Sequence, residues 1–329
     1  MSRFRPLLLT VAVLACAVPG AAQAAASACP EHHAGGVAPD ILRPALAAET
    51  RELCFEEYSL LYSSISRTPL AAAEHLTRVR IEEAERLRRD DAFHEEERLL
   101  PDERARLDDY ARSGFDRGHM APAGDMATPE GQAESFSLAN MVPQDPGSNR
   151  CLWERIESAV RDLALAEGEV WVLTGPIFQG EELERLNRRV LVPTSLYKAV
   201  YLPSRQAAAA YVAPNAPGTA WRAVSLAELR DLAGLNAFPT LAPDVQDRAM
   251  RLPEPRPHNS RGGCGEAGAT VTADHRPATP RGPNPTPTPV TPPATGSTGS
   301  GWSGKFVLIG AALVAGIVCI LLYRVLRRR

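Results

Sequence analysis

The chain has 329 residues, of which 44% are hydrophobic and 23% are charged, and its formal net charge is −3. Seven of its 36 basic residues lie within residues 1–5 and 305–329, so residues 6–304 carry ten more acidic than basic side chains. This balance excludes a uniformly basic surface. Any anion-binding site should therefore be a cationic cleft on an otherwise acidic surface.

The first residues have the features of a secretion signal. Two arginines precede an apolar run at residues 7–15, and an Ala-Gln-Ala cleavage site ends at Ala24. We therefore expect residues 1–24 to be a signal peptide. A buried helix is one alternative, and lipidation of Cys16 at the end of an imperfect lipobox is another.

The last residues have the features of a membrane span. Residues 306–323 carry no charge and can cross a hydrocarbon core of about 30 Å at about 1.5 Å per residue. Four arginines follow this run, and the positive-inside rule leaves them in the cytoplasm. We expect residues 305–329 to be a single transmembrane helix with a basic tail, which holds an exported body in the periplasm or outside the cell. A cell-surface sorting signal around residues 292–296, with removal of the span, is the alternative.

Between these ends, composition divides the chain into a body and a stalk. Residues 266–304 are dominated by Pro, Thr, Gly and Ser and contain almost no apolar side chains to bury, so we expect a disordered linker. Residues 27–265 are long enough for one substantial hydrophobic core, and we expect one domain there.

The predicted domain contains four cysteines, and an oxidising compartment would favour their pairing. They are Cys29, Cys54, Cys151 and Cys264. Of the three possible pairings, Cys29 with Cys54 would close a short loop, and Cys151 with Cys264 would then hold the C-terminal end. Metal binding by Cys29 with His32 and His33 is the alternative, although zinc sites favour a fuller set of paired ligands.

The first half of the body mixes strand and surface patterns. Residues 38–48 resemble a loop, and residues 54–63 alternate as a strand does. Residues 71–80 fit either a short helix or a strand. Residues 81–112 are so highly charged that a solvated face or surface loop is expected.

The second half predicts helices and strands in mixed order. Apolar residues spaced by three and four at residues 152–160 indicate a helix with one apolar face. Residues 170–173 form a strand that the Thr-Gly-Pro sequence after it should end, and residues 191–202 form another strand, interrupted by a proline. A capping box opens a helix at residues 226–232. The absence of a regular βαβ repeat predicts an α+β fold.

The centre of the chain carries groups suited to phosphodiester hydrolysis. A histidine, His119, lies in the sequence Asp-Arg-Gly-His-Met; Asn149 follows it by thirty residues, and Glu157 lies about two turns further on. An imidazole with a pKa near about 6.5 can accept a proton from water. An amide oxygen and a carboxylate are ligands for a hydrated divalent cation or its waters. Gly118 would let a phosphate approach the backbone. Taken singly, these residues could be a structural histidine, a helix cap and a solvated acid.

Five sequence motifs resemble the DNA/RNA non-specific endonuclease family, the ββα-metal or His-Me finger nucleases related to secreted bacterial nucleases and mitochondrial endonuclease G. The resemblance covers roughly residues 29–250. The motifs are D-R-G-H-M at 116–120, S-F-S-L-A-N-M-V-P-Q at 135–144, N-x3-W-x3-E at 149–157, T-G-P-I-F at 174–178 and V-P-T-S-L-Y-K at 192–198.

This resemblance implies a fold and four principal site residues. The fold would be a ββα-metal nuclease with a central, mostly antiparallel sheet flanked by helices. His119 would be the general base, and Asn149 would be the direct ligand of one Mg²⁺, which Mn²⁺ could replace. Glu157 would hold the waters of that ion, and Arg117 would neutralise charge on the phosphate.

The resemblance also implies supporting residues and an activity. Asp116, Asn140 and Gln144 would shape the site, and Arg89, or its neighbour Arg88, would match an upstream arginine of the family. We expect a Mg²⁺-dependent endonuclease that cleaves DNA and RNA without reading sugar or sequence and leaves 5′-phosphates. The alternative is a membrane-anchored, nucleic-acid-binding ectodomain that keeps the fold but has no turnover.

Overall fold

The structure is a computed structural model that describes residues 26–257 and residue 264. The expected signal peptide at residues 1–24, the expected linker after residue 265 and the expected span at residues 305–329 lie outside this part of the chain. Within it, no helix is both long enough and apolar enough to span a membrane.

A seven-stranded antiparallel sheet forms the centre of the domain, and its strand order is β12-β11-β10-β7-β4-β3-β2. Three two-stranded sheets, β1-β13, β5-β6 and β8-β9, complete the strands of the described chain. In chain order the strands are β1 Asp40–Ile41, β2 Thr50–Cys54, β3 Tyr58–Ser63, β4 Thr68–Thr77, β5 Asp116–His119, β6 Met141–Gln144, β7 Glu169–Ile177, β8 Arg185–Leu186, β9 Val190–Leu191, β10 Ser195–Leu202, β11 Ala207–Pro214, β12 Arg222–Val224 and β13 Leu235–Asn236.

Helices cover both faces of this sheet. The α-helices are α1 Pro44–Ala47, α2 Arg78–Ala84, α3 Leu107–Tyr110, α4 Pro129–Ser135, α5 Glu154–Glu167, α6 Leu226–Ala233 and α7 Pro243–Asp247. Short 3₁₀ helices lie at Pro30–His32, Ala34–Gly36, Ala123–Asp125, Leu138–Asn140 and Pro203–Arg205, and one π-helical turn lies at Ser148–Trp153. The predicted mixed architecture with a large antiparallel sheet is confirmed.

The two faces of the sheet carry separate hydrophobic cores. On one face, Trp153, Ile156 and Val160 pack against buried residues of β3, β4 and β10. On the other face, Leu226 and Leu229 of α6 pack against alanines and tyrosines of the same strands. Because both faces are covered, the central strands are apolar almost throughout and show little alternation of polar and apolar residues. Helix α5 therefore lies on one defined face of the sheet.

Strands β5 and β6 with helix α5 form the ββα unit that the resemblance implies. Asp116 pairs with Gln144 and His119 with Met141 in an antiparallel register. The chain then passes through the π-helical turn at Ser148–Trp153 into α5. This unit brings the Asp-Arg-Gly-His motif beside the turn that contains Asn149.

Three element predictions are confirmed or resolved. Ser225 accepts a hydrogen bond from the amide of Glu228 at the start of α6, and Gly234 ends that helix in the left-handed conformation. The ambiguous segment at residues 71–80 is mostly strand, because β4 continues to Thr77 before α2 begins. The predicted strand at residues 54–63 is shorter than expected: β3 begins at Tyr58, and a short hairpin turn separates it from β2, which ends at Cys54.

Two other element predictions are wrong. Strand β7 does not end at Thr174 but continues to Ile177. Gly175 lies within this strand. Glycine is required at that position, because an added Cβ would lie 2.3 Å from the carbonyl oxygen of Leu70. The charged segment at residues 81–112 is not all surface, since Leu99 and Tyr110 are buried within it.

Two disulfides join the cysteines in one of the three pairings that the sequence left open. Cys29 bonds to Cys54, and Cys151 bonds to Cys264. Cys29 also lies within ligand distance of His33 and Glu52, but a disulfide sulfur offers no thiolate to a metal. The alternative of a metal site at Cys29 is therefore excluded.

The Cys29–Cys54 bond should contribute measurably to stability, because it holds the N-terminal arm against β2 across 25 residues of sequence. We expect the double variant Cys29→Ser/Cys54→Ser to lose about 2–5 kcal/mol in free energy of unfolding. Equilibrium unfolding in guanidinium measures this loss. An unchanged unfolding midpoint would show that the arm is held by other contacts.

Candidate active site

His119 is the last residue of β5 and lies almost entirely inside the protein. The residue is 8% exposed, and its Nε2 atom is buried without a hydrogen-bond partner among the described residues. Burial, together with the positive charges of Arg89 and Arg117, lowers the pKa of His119 to about 3, while Asp91 opposes this shift. The imidazole is therefore neutral at physiological pH and can accept a proton.

Asn149 lies in the π-helical turn, with its side chain held by Asp116. Its Nδ2 atom donates a hydrogen bond of 3.0 Å to Oδ2 of Asp116. Because the amide nitrogen is used in this way, the Oδ1 atom is the one that remains for a cation. Asn149 is not the cap of this turn, since the carboxylate of Asp145 accepts from the amide of Ser148 instead. π-Helical turns inside helices are frequent at functional sites.

Asp116 joins the strand to the turn through a second partner as well. Arg150 donates to both of its carboxylate oxygens, from Nε at 2.8 Å and from Nη2 at 2.6 Å. Despite its partial burial, the hydrogen bonds from Arg150 and Asn149 hold the pKa of Asp116 below its usual range. Asp116 therefore remains an ionised acceptor that fixes the orientation of the Asn149 amide.

Arg117 and Arg89 approach His119 from different elements. Arg117 forms no ion pair and no side-chain hydrogen bond with any residue that the structure describes, and its guanidinium stacks on the ring of Phe93. Arg89 forms an exposed ion pair with Asp91 and lies over the ring of Phe136. Of the two, Arg117 has donors that are free for a phosphate.

Glu157 lies on α5 above a group of buried charges that the sequence patterns do not predict. Burial raises the pKa of Glu157 to about 7, although Lys198 and Arg161 favour its charged form. Arg161, one turn further along α5, donates a hydrogen bond of 2.9 Å to Asp125. A cation bound nearby would shift Glu157 towards the carboxylate form.

Beneath α5, a glutamate and a lysine are buried in the central strands. Glu74 of β4 and Lys198 of β10 are both fully buried, with 4.0 Å between Lys198 Nζ and Glu74 Oε2. Lys198 also donates a 2.7 Å hydrogen bond to Thr174 of β7. Burial raises the pKa of Glu74 well above its usual range. A charge within an apolar strand is the sequence signal that could have identified this pair.

Asn140 and Gln144 occupy different positions relative to the site. All three side-chain hydrogen bonds of Asn140 go to the backbone, at Ala121 and Ser135, so this residue fixes the chain that follows His119. Gln144 is fully buried, and both polar atoms of its amide lack a partner among the described residues.

Gly118 is required by Gln144. An added Cβ at residue 118 would lie 2.1 Å from Oε1 of Gln144. We expected this glycine to admit a phosphate. The structure gives a different reason for it, namely that the side chain of Gln144 on the neighbouring strand packs against it.

The donors around Asn149 fit a hydrated divalent cation. One amide oxygen, oriented by Asp116, would be a direct ligand, and the half-buried carboxylate of Glu157 would accept hydrogen bonds from water. A small number of oxygen ligands suits Mg²⁺, which retains most of its waters. A thiolate or imidazole site of the kind that zinc prefers is not formed by these residues.

A family model places this chain among known proteins. The model described as DNA/RNA non-specific endonuclease matches residues 39–244, which include all of the residues above. The chain belongs to this family. The family that the sequence motifs resemble is thus confirmed.

Individual proteins with nuclease names are also similar to this chain. Nuclease EXOG, mitochondrial, from Danio rerio is 35% identical over 219 residues, which are 60% of this chain and 63% of the relative. Nuclease C1 from Cunninghamella echinulata var. echinulata is 34% identical over 207 residues, 56% of this chain and 82% of the relative.

The fold comparison also supports the family. A crystal structure of the EndoG/EndoGI complex, which concerns the mechanism of EndoG inhibition, contains a chain with 29% sequence identity and a TM-score of 0.53. The match covers 60% of this chain and 88% of that one. It confirms an EndoG-like nuclease fold for this member of the family.

The expected localisation, an exported domain anchored by one C-terminal span, is corrected by two findings. The Danio rerio relative carries the word mitochondrial in its name. Mitochondrial nuclease from Saccharomyces cerevisiae, 32% identical over 49% of this chain and 56% of the relative, also carries this word in its name. The exported, membrane-anchored arrangement is therefore withdrawn for this endonuclease-family chain.

The buried His119 should make stability depend on pH in the acidic range. Its folded pKa is about 3, below the value of about 6.5 in an unfolded chain. The unfolded state then binds more protons between these values, so stability is complete above about pH 6.5 and falls as pH is lowered towards 3.

We expect the wild type to lose about 2–3 kcal/mol more than His119→Gln between pH 7 and pH 4. Urea unfolding at both pH values measures the difference. Equal losses in the two proteins would contradict the buried, neutral imidazole.

Proposed function

We propose that this chain is a metal-dependent endonuclease that hydrolyses phosphodiester bonds of DNA and RNA, with residues 27–265 as its catalytic domain. The observation that carries the proposal is that Asp116 holds the amide nitrogen of Asn149, which leaves the amide oxygen for a cation, while His119 on the same strand as Asp116 is buried. The family to which the chain belongs supports the same reaction class.

His119 accepts the proton of the attacking water in this mechanism. Burial keeps the ring neutral before the reaction. The Nε2 atom accepts no hydrogen bond from any described side chain or backbone group. A positioned base of this kind typically contributes about 10²- to 10⁴-fold to turnover. Asn140 supports the base indirectly, because its hydrogen bonds fix the chain at Ala121, two residues after it.

Arg117 binds the phosphate and stabilises the charge that develops on it. Its guanidinium has no carboxylate partner among the described residues, so its planar set of donors is available. Arg89 supplies a second positive charge near the base, and this charge is paired with the carboxylate of Asp91. Together these arginines make the local cationic site expected on an acidic surface.

Asn149 would hold a single Mg²⁺, or Mn²⁺ in its place, and Glu157 would hold the ion's waters. When bound, the ion would supply charge stabilisation at the phosphorus and the leaving oxygen. Water attack in line with the leaving 3′-oxygen gives 5′-phosphate products. The roles proposed for these residues involve only phosphate, water and metal, and this supports cleavage of both DNA and RNA.

A plasmid-nicking assay with the full chain tests this proposal. We expect Mg²⁺-dependent nicking that excess chelator abolishes, and we expect His119→Ala to lower turnover by about 10²- to 10⁴-fold while the circular dichroism spectrum is retained. RNA cleavage and 5′-end analysis of the products complete the test.

His75→Ala is the matched control. His75 lies on the opposite face of the sheet from α5, where its ring stacks on Trp171, so this variant should nick plasmid at the wild-type rate. If the wild type binds plasmid with Mg²⁺ or Mn²⁺ but leaves it intact, the chain is a binding module with the nuclease fold and the proposal is wrong.

A further inference from the structure

The rings of His119, Phe93 and Phe136 contact one another, and each phenylalanine ring carries an arginine. The imidazole meets Phe136 edge to face with 5.1 Å between ring centroids, and the ring of Phe93 is tilted against it at 5.7 Å. The guanidinium carbon of Arg117 lies 3.9 Å from the centroid of Phe93. That of Arg89 lies 5.2 Å from the centroid of Phe136.

The two phenylalanines differ in burial and therefore in what they can do. Phe136 is fully buried and contributes to the packing around the base. Phe93 is half-buried and lines an open surface cleft of about 600 Å³ with Glu95, Arg104 and Leu107. Phe93 thus contacts the ring of His119 and also borders this cleft, whose lining further includes Glu96 and Glu97.

The position of Phe93 is fixed by the backbone next to it. The amide of His94 donates to the carbonyl of Phe136 at 3.2 Å, and the carbonyl of His94 accepts from the amide of Leu138 at 2.8 Å. These bonds attach the loop at Phe93 to the segment before β6. The Phe93 ring also makes an edge contact with Phe136, with 5.0 Å between centroids.

A guanidinium stacked on an aromatic ring keeps its hydrogen-bond donors available. The stacking uses the flat face of the group, whereas its five N–H donors point outward in the plane. A free arginine side chain loses rotamer freedom when it binds a phosphate, and stacking reduces that loss by ordering the side chain beforehand. Phe93 can therefore prepare Arg117 for a phosphate without competing for its donors.

We propose that Phe93 is a positioning residue that holds the guanidinium of Arg117 on its ring face, beside His119, in the orientation that receives the scissile phosphate. This inference rests on the proposed nuclease function. Phe93 acts through Arg117, and its contribution disappears when the arginine is removed.

A double-mutant cycle on the full chain tests this dependence with four proteins: wild type, Phe93→Leu, Arg117→Ala and the double variant. Leucine keeps most of the apolar volume but has no π face. We expect Phe93→Leu to lower kcat/KM for plasmid nicking by roughly three- to thirty-fold when Arg117 is present. It should have no effect in the Arg117→Ala background, and Phe93→Tyr should retain the wild-type value.

Phe55 provides a matched control. The guanidinium carbon of Arg98 lies 4.2 Å from the centroid of the Phe55 ring, and this pair is separate from the ring contacts of His119. Phe55→Leu removes an equivalent cation–π pair and should lower Tm. Any change it causes in kcat/KM should be the same with and without Arg117. Equal effects of Phe93→Leu in both Arg117 backgrounds, or failure of Phe93→Tyr to keep activity, would overturn the proposal.

A binding cycle separates this inference from the proposed function. Fluorescence anisotropy with a short DNA duplex in EDTA gives Kd for the same four proteins without turnover. We expect Phe93→Leu to weaken binding only when Arg117 is present. A wild type that binds DNA in EDTA but does not cleave it after Mg²⁺ or Mn²⁺ is added in excess would refute the proposed function, whereas additive effects on Kd would refute the role of Phe93.

Discussion

The hydrogen bond from Asn149 to Asp116 is the contact on which the candidate site depends. Asp116 and His119 are the two ends of the four-residue strand β5, so the same short backbone segment carries the proposed base and the partner of the proposed metal ligand. The separation of these two ends is set by strand geometry, at about 3.3 Å per residue. Any shift of the turn at Ser148–Trp153 against β5 would therefore change the alignment of ligand and base together.

The neighbouring structure stabilises this arrangement from two sides. Strand β6 pairs with β5, and its Gln144 packs directly over Gly118, which leaves no room for a side chain there. Helix α5 packs through Trp153 and Ile156 on the central sheet. The disulfide from Cys151, within the π-helical turn, adds a covalent connection to Cys264. The geometry of the site is thus determined by packed elements and not by a free loop.

The charges around the site are distributed so that the base stays neutral. The buried His119 is accompanied by two arginines held on aromatic rings, and both positive charges oppose protonation of the imidazole. The acidic groups, including Glu157, Glu74 and Asp125, influence one another beneath α5. Burial raises the pKa of Glu157 in the absence of a cation, so proton release from this group should accompany metal binding.

The sequence predicts the chemistry of this site better than its surroundings. His119, Asn149 and Glu157 are recognisable because a base, an amide ligand and an acid must recur at fixed spacing. Strand β11 has no such signal, because its alanines conceal any alternation of polar and apolar residues.

Long-range contacts are the second part that the sequence could not predict. The Lys198–Glu74 pair joins strands far apart in the chain, and the stacking of Arg117 on Phe93 joins a strand to a charged loop. The patterns at residues 81–112 indicate only a solvated surface, because the neighbours that bury Phe93 lie more than twenty residues away.

The most direct test of the account is a Mg²⁺ titration of plasmid nicking by the full chain carrying Asp116→Ala, with Arg150→Ala as its matched control. Removal of Asp116 frees the Asn149 amide to rotate, so the Mg²⁺ concentration for half-maximal nicking should rise by about 10- to 100-fold. Arg150→Ala removes the exposed ion pair but leaves the bond to Asn149, so it should titrate like the wild type. An unchanged Mg²⁺ requirement in Asp116→Ala would contradict the orientation of Asn149 by Asp116 as the basis of the site.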